Sequence, residues 1–158
     1  MGLYLITFLR SVNTTTAPYP LSANLSITVQ TIAGLDLDIY PVKASEFPII
    51  GVKLLDKDLD ELEEYSNVQA NRAVTFRMQL DVAYMSYQDS DTSLGRLVRN
   101  VESNIRNNIN LSSYSVNQAT IITMLPGNVT FNTVEEKESA FNKSASVQVE
   151  FRCYVKIC

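Results

Sequence analysis

Residues 72–85 read RAVTFRMQLDVAYM, and this stretch decides the fold. From Val74 every second residue is apolar: Val74, Phe76, Met78, Leu80, Val82 and Tyr84. Thr75, Arg77, Gln79, Asp81 and Ala83 stand between them. A period of two marks a β-strand, because successive side chains point to opposite faces. One face of this strand belongs to a core. The other carries Arg77 and Asp81, which serve water, a partner chain or a substrate.

The C-terminal stretch SASVQVEFRCYVKI, 144–157, repeats the pattern. Ala145, Val147, Val149, Phe151, Cys153, Val155 and Ile157 make one face, and Ser146, Gln148, Glu150, Arg152, Tyr154 and Lys156 the other. Between the two strands, QDSDTS (88–93) supplies Asp91, Thr92 and Ser93, all good helix-start residues. Leu94, Leu97, Val98, Val101, Ile105 and Ile109 then recur at three- and four-residue spacing. That predicts an amphipathic helix over 93–110, frayed by Asn107, Asn108 and Asn110. ATIITML (119–125) reads as a buried strand ended by Pro126-Gly127, with NVTFNTV continuing it after a turn or bulge. EEKESAFNKS (135–144) reads as a polar connection.

Upstream, EFPIIGVKLL (46–55) predicts a strand with Pro48 near its start, where a missing N–H is tolerated. DKDLDELEEYSNVQANR then reads as a charged connection, and LDLDIYPV (35–42) as a short strand stopped by Pro41. In ANLSITVQTIAGL (23–35), Leu25, Val29 and Ile32 share a helical face that Gly34 would end, while Leu25, Ile27 and Val29 also alternate. A helix is expected there. LYLITFL (3–9) is apolar without a period, and TTTAPYP (14–20) is an extended connector. The expected fold class is α+β: an antiparallel β-sheet with one long amphipathic helix packed on one face. Residues 1–35 form an N-terminal extension packing on or between subunits, and 36–158 the domain itself.

With 158 residues the chain is long enough to bury one core, and 19% charged residues fit a folded domain. A net charge of −4 argues against a general electrostatic hold on nucleic acid. No apolar run reaches the roughly 20 residues that span a membrane, so no membrane association is expected. The N-terminal MGLYLITFLR lacks a basic n-region and is not read as a signal peptide. Cys153 and Cys158 on one strand would lie roughly 16 Å apart, beyond disulfide reach, which fits a reduced, intracellular protein.

The chain has no histidine. That removes the commonest general base, the commonest zinc ligand and every Ser-His or Cys-His pair. Asp56, Asp58 and Asp60 open like a calcium loop, but the sixth and twelfth positions hold Glu61 and Asn67 instead of Gly and Glu. The acidic stretch, including Glu63 and Glu64, is expected to be solvated or to meet a partner. Glu135, Glu136 and Glu138 could supply acid–base carboxylates, but Lys137 lies among them and no apolar pocket raises a pKa. Sequons at Asn13, Asn24, Asn110, Asn128 and Asn142 are treated as coincidence in an Asn/Ser/Thr-rich chain without a signal peptide. No cofactor or metal is expected, and no enzymatic activity. The strands are near 12–14 residues against a typical five or six, which suits them to lie against neighbouring subunits.

One family shares this layout. The order is EFPIIGVKLL, an acidic stretch, NRAVTFRMQLDVAYM, the helix SLGRLVRNVESNIRNNI, and SVQVEFRCYVKI. Over about residues 36–158 it resembles the tail terminator (tail completion) proteins of tailed bacteriophages, through the FP-led strand and the R-x-x-x-F-x-x-x-L-x-V-x-Y strand. Family members open with a plain helix; here a proline-rich stretch precedes the helix expected over 23–35. The resemblance implies a virion protein of the tail–neck junction, assembled in the host cytoplasm. It forms a hexameric ring that caps the tail tube, stops tail polymerisation and meets a neck or head-completion protein. DNA would pass through the hole without specific binding, eased by like charge in the lumen. On this reading Asp56, Asp58, Asp60, Glu61, Glu63, Glu64, Arg77, Asp81, Glu150 and Arg152 are the interface residues. Another neck or head-completion ring is the nearest alternative. A small carboxylate-using enzyme and a glycosylated binding module stand further off.

Overall fold

A computed structural model describes residues 2–13, 20–23, 25, 27–37, 43–60, 71–88, 91–107, 115–116, 119–137 and 140–156. The chain opens with helix α1 (Gly2–Val12) and a short strand β1 (Thr31–Ala33). Two long strands follow, β2 (Ile49–Asp60) and β3 (Asn71–Ser86), and then helix α2 (Ser93–Asn107). The remainder is β4 (Ser115–Val116), β5 (Ala119–Phe131), β6 (Glu135–Lys137) and β7 (Ala140–Lys156). The strands form one sheet in the order β1-β2-β3-β7-β5-β4, with β6 on the end of β7. Every pairing is antiparallel except β1 with β2. The domain is α+β, as the alternating strands predict.

The two predicted long strands are the centre of the sheet. β3 and β7 pair without a break from Asn71↔Lys156 to Ser86↔Phe141. In the middle of the pair apolar faces apolar: Met78 meets Val149, Leu80 meets Val147, and Val82 meets Ala145. All six are buried. The match of two period-two patterns sets the register, since a slip by one residue would turn the apolar set of the slipped strand to the other face.

Both helices lie on this apolar face. Leu94, Leu97, Val98, Val101 and Ile105 of α2 share one core with Leu5 and Leu9 of α1 and with the apolar rows of β3 and β7. Tyr4 sets its ring edge-on to Phe151, with centroids 6.2 Å apart. The start of α2 is tied to the sheet through Asp91. Its carboxylate accepts the Ser93 N–H at 2.8 Å and the Ser86 hydroxyl at 2.8 Å, and Lys143 donates to its carbonyl at 2.8 Å. The Ser93 hydroxyl, donating to the same carboxylate at 2.5 Å, does most to lower the Asp91 pKa, and the Ser93 N–H, the Ser86 hydroxyl and the Lys143 charge add to it against the opposing effect of burial.

Several expectations are corrected. Among the described residues two α-helices pack on the sheet, not one. Residues 3–9 are helical although they show no period, because nearly all are apolar and the helix is covered on several sides. No helix spans 23–35: residues 31–33 form a parallel strand on Ile49–Gly51. That segment is held from outside it. The Arg10 guanidinium donates to the Ile32 carbonyl at 2.9 and 2.6 Å, the Asn13 side chain pairs with both Val29 backbone groups, and Asn100 donates to the Leu21 and Ala23 carbonyls. The described part of residues 1–35 therefore packs on this chain's own core.

Leu35–Leu37 is not a strand but crosses over Gly51, where a Cβ would stand 2.7 Å from the Leu35 carbonyl oxygen. Glycine is required there by close approach. Ile39 and Pro41 lie outside the described residues. The acidic connection is strand as far as Asp60, and in the polar connection Glu135–Lys137 is a strand paired with the start of β7 at Ala140, Phe141 and Asn142. β5 runs through Pro126-Gly127 with a break in register between Pro126 and Val129, the bulge that the sequence allowed. The α2 helix ends at Asn107; residues 108–110 lie outside the described residues.

Candidate assembly surface

The face of the sheet turned away from the helices holds most of the sequence-predicted site. The register sorts it into cross-strand rows. Gly51, Asp81, Ser146 and Thr130 form one row across β2, β3, β7 and β5. Lys53, Gln79 and Gln148 form the next. Asp56, Arg77, Glu150 and Leu125 follow, then Asp58, Thr75, Arg152 and Thr123. Arg77 and Glu150, nearly seventy positions apart in sequence, are direct cross-strand partners.

Asp81 is the centre of the best-ordered part. It is only 8% exposed. One carboxylate oxygen accepts the Gln79 amide at 2.7 Å and the Ser146 hydroxyl at 3.0 Å. The other lies 3.5 Å from Lys53 Nζ, which stands equally close to Asp36. A buried carboxylate needs such company, because stripping its water without replacement is costly. With both oxygens engaged inside the chain, Asp81 serves to lock β2, β3 and β7 together rather than to receive a ligand.

Around it lies an open cleft of about 610 Å³. Gln79, Asp81 and Ser146 form its floor, Leu37 and Phe47 one side, and Asn132, Glu135 and Asn142 the other. The amide oxygen of Asn142 is buried there with no hydrogen-bond partner among the described residues.

The lower rows are more open. Glu150 and Arg152 lie 3.8 Å apart with their side chains 38% and 66% exposed, too solvated for a strong pair. Asp56, Asp58 and Asp60 occupy alternate positions of β2, so they belong to the sheet and not to a loop. Glu61, Glu63 and Glu64 lie outside the described residues. Of the carboxylates weighed for catalysis, Glu135 and Glu136 sit exposed on β6, and Glu138 lies outside the described residues. Cys153 is buried on the helix side with its thiol pushed up to about 11 by burial, and Cys158 lies outside the described residues. Among the described residues no helix is long and apolar enough to cross a membrane, and no metal-holding cluster occurs.

Two features escaped the sequence. Lys53, Gln79 and Ser146 partner Asp81 only through the strand register, which no local pattern states. Their signal was their place on the polar side of three alternating strands. Three large apolar residues left outside on the long strands, Leu54 (57% exposed), Leu125 (53%) and Phe131 (59%), are the second. They sit on β2 and β5, and alternation alone would have hidden Leu54, whose partner Met78 is buried.

No family model and no curated protein matches the chain. Among solved structures, it aligns with a chain of the virion of a native gene transfer agent (GTA) particle. The TM-score is 0.45 at 9% identity, over 96% of this chain and 94% of that one.

Proposed function

We propose that this chain is a virion structural protein without catalytic activity: a tail terminator that assembles into a hexameric ring, caps the tail tube and joins it to the neck. The observation that carries this is the two-sided sheet. Its helix face carries the core of the chain, while its other face presents charged rows on strands of 12 to 17 residues. Strands this long exceed what a small core needs, and the sheet edges keep large apolar side chains exposed. The same layout of strand, acidic stretch, long strand, helix and long strand underlies the resemblance to tail terminators.

The ring gives the charge a use. Each chain contributes −4, and a lumen lined by acidic residues repels DNA and lets it slide. Asp56, Asp58, Asp60, Arg77, Glu150 and Arg152 are the residues of this face that meet lumen, tube or neighbour. A neck or head-completion ring is told apart by tail length. Particles lacking this protein are expected to carry overlong or headless tails; tails of normal length would favour the neck ring instead.

A further inference from the structure

The cleft on the open face has spent its donors and kept acceptors. The Gln79 amide donates to Asp81 and to the Ser146 hydroxyl, Ser146 donates to Asp81, and the Asn132 amide donates to the Ser144 hydroxyl. Among the described residues Lys143 is the only cation on the lining, and its nitrogen is drawn off to the Asp91 carbonyl at the start of α2. Glu135 stands exposed on the wall, with no hydrogen bond or ion pair to any described residue. Its direct cross-strand partner is Asn142, the residue whose amide oxygen is buried without a partner among the described residues. An unmet buried acceptor is costly, and a carboxylate beside it calls for a cationic donor.

The same chain holds a matching donor on its other side. Of the arginines whose side chains are described, Arg10 is bound to the Ile32 carbonyl, Arg106 pairs with Glu102, Arg152 lies by Glu150, and Arg77 and Arg96 are engaged. Arg99 is exposed on the side of α2 opposite to Leu97, Val98 and Val101, and makes no such contact with any described residue. One turn earlier on that side stands Gly95, where a Cβ would meet nothing within 4 Å. Glycine weakens a helix, and no described neighbour requires it there. A surface that comes close to the helix gives that glycine a use. We propose that Arg99 of one copy enters the cleft of a second copy and pairs with Glu135. The sheet separates the cleft from α2, so Arg99 does not reach Glu135 of its own chain. The contact therefore joins unlike surfaces of two copies, the kind that closes into rings. It is a joint of the ring proposed above and rests on that reading for closure. A cleft of about 610 Å³ has room for the whole side chain. Its methylenes would lie along Leu37 and Phe47, and the guanidinium fork offers several N–H groups to Glu135 and the acceptors around it. An exposed pair is worth little, but one closed off from water by an interface is worth more.

Charge reversal tests it on the full-length chain, with assembly read by sedimentation. Arg99→Glu alone sets two carboxylates at every joint, and Glu135→Arg alone sets two guanidiniums. Each is expected to weaken assembly by about ten-fold or more. Mixed in equal amounts, the two variants alternate round the ring, so that every joint again holds one charge of each sign. Assembly of the mixture is expected to return to within about three-fold of wild type. Single variants that assemble like the wild type would overturn the proposal. So would weakened variants that the mixture does not rescue, and both results leave the ring reading standing. Should a reversal unfold the chain, seen by circular dichroism, Arg99→Gln and Glu135→Gln replace it in a double-mutant cycle. Losses that do not add are then expected, and additive losses would overturn the pair. A wild-type chain that remains monomeric at every concentration would overturn both the joint and the ring.

Discussion

On the helix side of β3, Met78, Leu80 and Val82 are sealed under α1 and α2; on the other side Arg77, Gln79 and Asp81 sit among charges and amides. The same backbone serves both faces, yet their energetics differ. The helix face stabilises through area removed from water and close packing, which costs heavily when lost. The open face stabilises where a polar group is nearly buried, at Asp81, and leaves the Arg152 side chain largely solvated. A face that contributes little to folding is free to serve assembly.

That contrast can be broken by substitution. Phe151→Ala, at the centre of the helix face and in contact with Tyr4, is expected to cost about 3–5 kcal/mol in urea unfolding. Asp81→Ala should cost roughly 1–3 kcal/mol, because the Gln79 and Ser146 donors lose their acceptor while Lys53 keeps Asp36. An Asp81 loss equal to that of Phe151 would make the open face as structural as the helix face.

Asp91→Ala should cost about 1 kcal/mol, since the Ser93 N–H at the start of α2 loses its cap. The Asp91 pKa is lowered in the folded chain. Its contribution is therefore present above the ordinary carboxylate pKa of about 3.9 and fades as pH falls through the lowered folded value. The gap in melting temperature between wild type and Asp91→Ala should thus be full near neutrality and shrink in acid. Arg152→Ala is expected to change stability by no more than about 0.5 kcal/mol, its side chain being 66% exposed. Its effect should appear in ring assembly, read by sedimentation; a stability loss above 1 kcal/mol would assign it to the fold instead.

How much was legible in the sequence follows from the same contrast. β3, β7 and α2 could be read because one face is apolar and the other polar, so the period shows. α1 could not, because LYLITFL is apolar on all sides and offers no contrast. The strand at Thr31–Ala33 is three residues long and held by Arg10 and Asn13 from another element, beyond the reach of any local pattern. The acidic stretch looked like a loop because aspartates disfavour strands, yet cross-strand pairing with Arg77, Thr75 and Ala73 carries β2 to Asp60. Arg77 with Asp81, and Glu150 with Arg152, were legible as the polar faces of two alternating strands; that the two strands pair into one surface was not. That Asp81 is locked inside while Arg152 is free to solvent depends on register and burial, which the sequence does not state.

The central claim is that this chain works as a ring built from copies of itself. Electron micrographs of the purified full-length chain, with sedimentation at rising concentration, test it most directly. A closed ring with a central hole and a discrete mass of six chains is expected. A monomer at every concentration, or an open-ended series of sizes without closure, would contradict it.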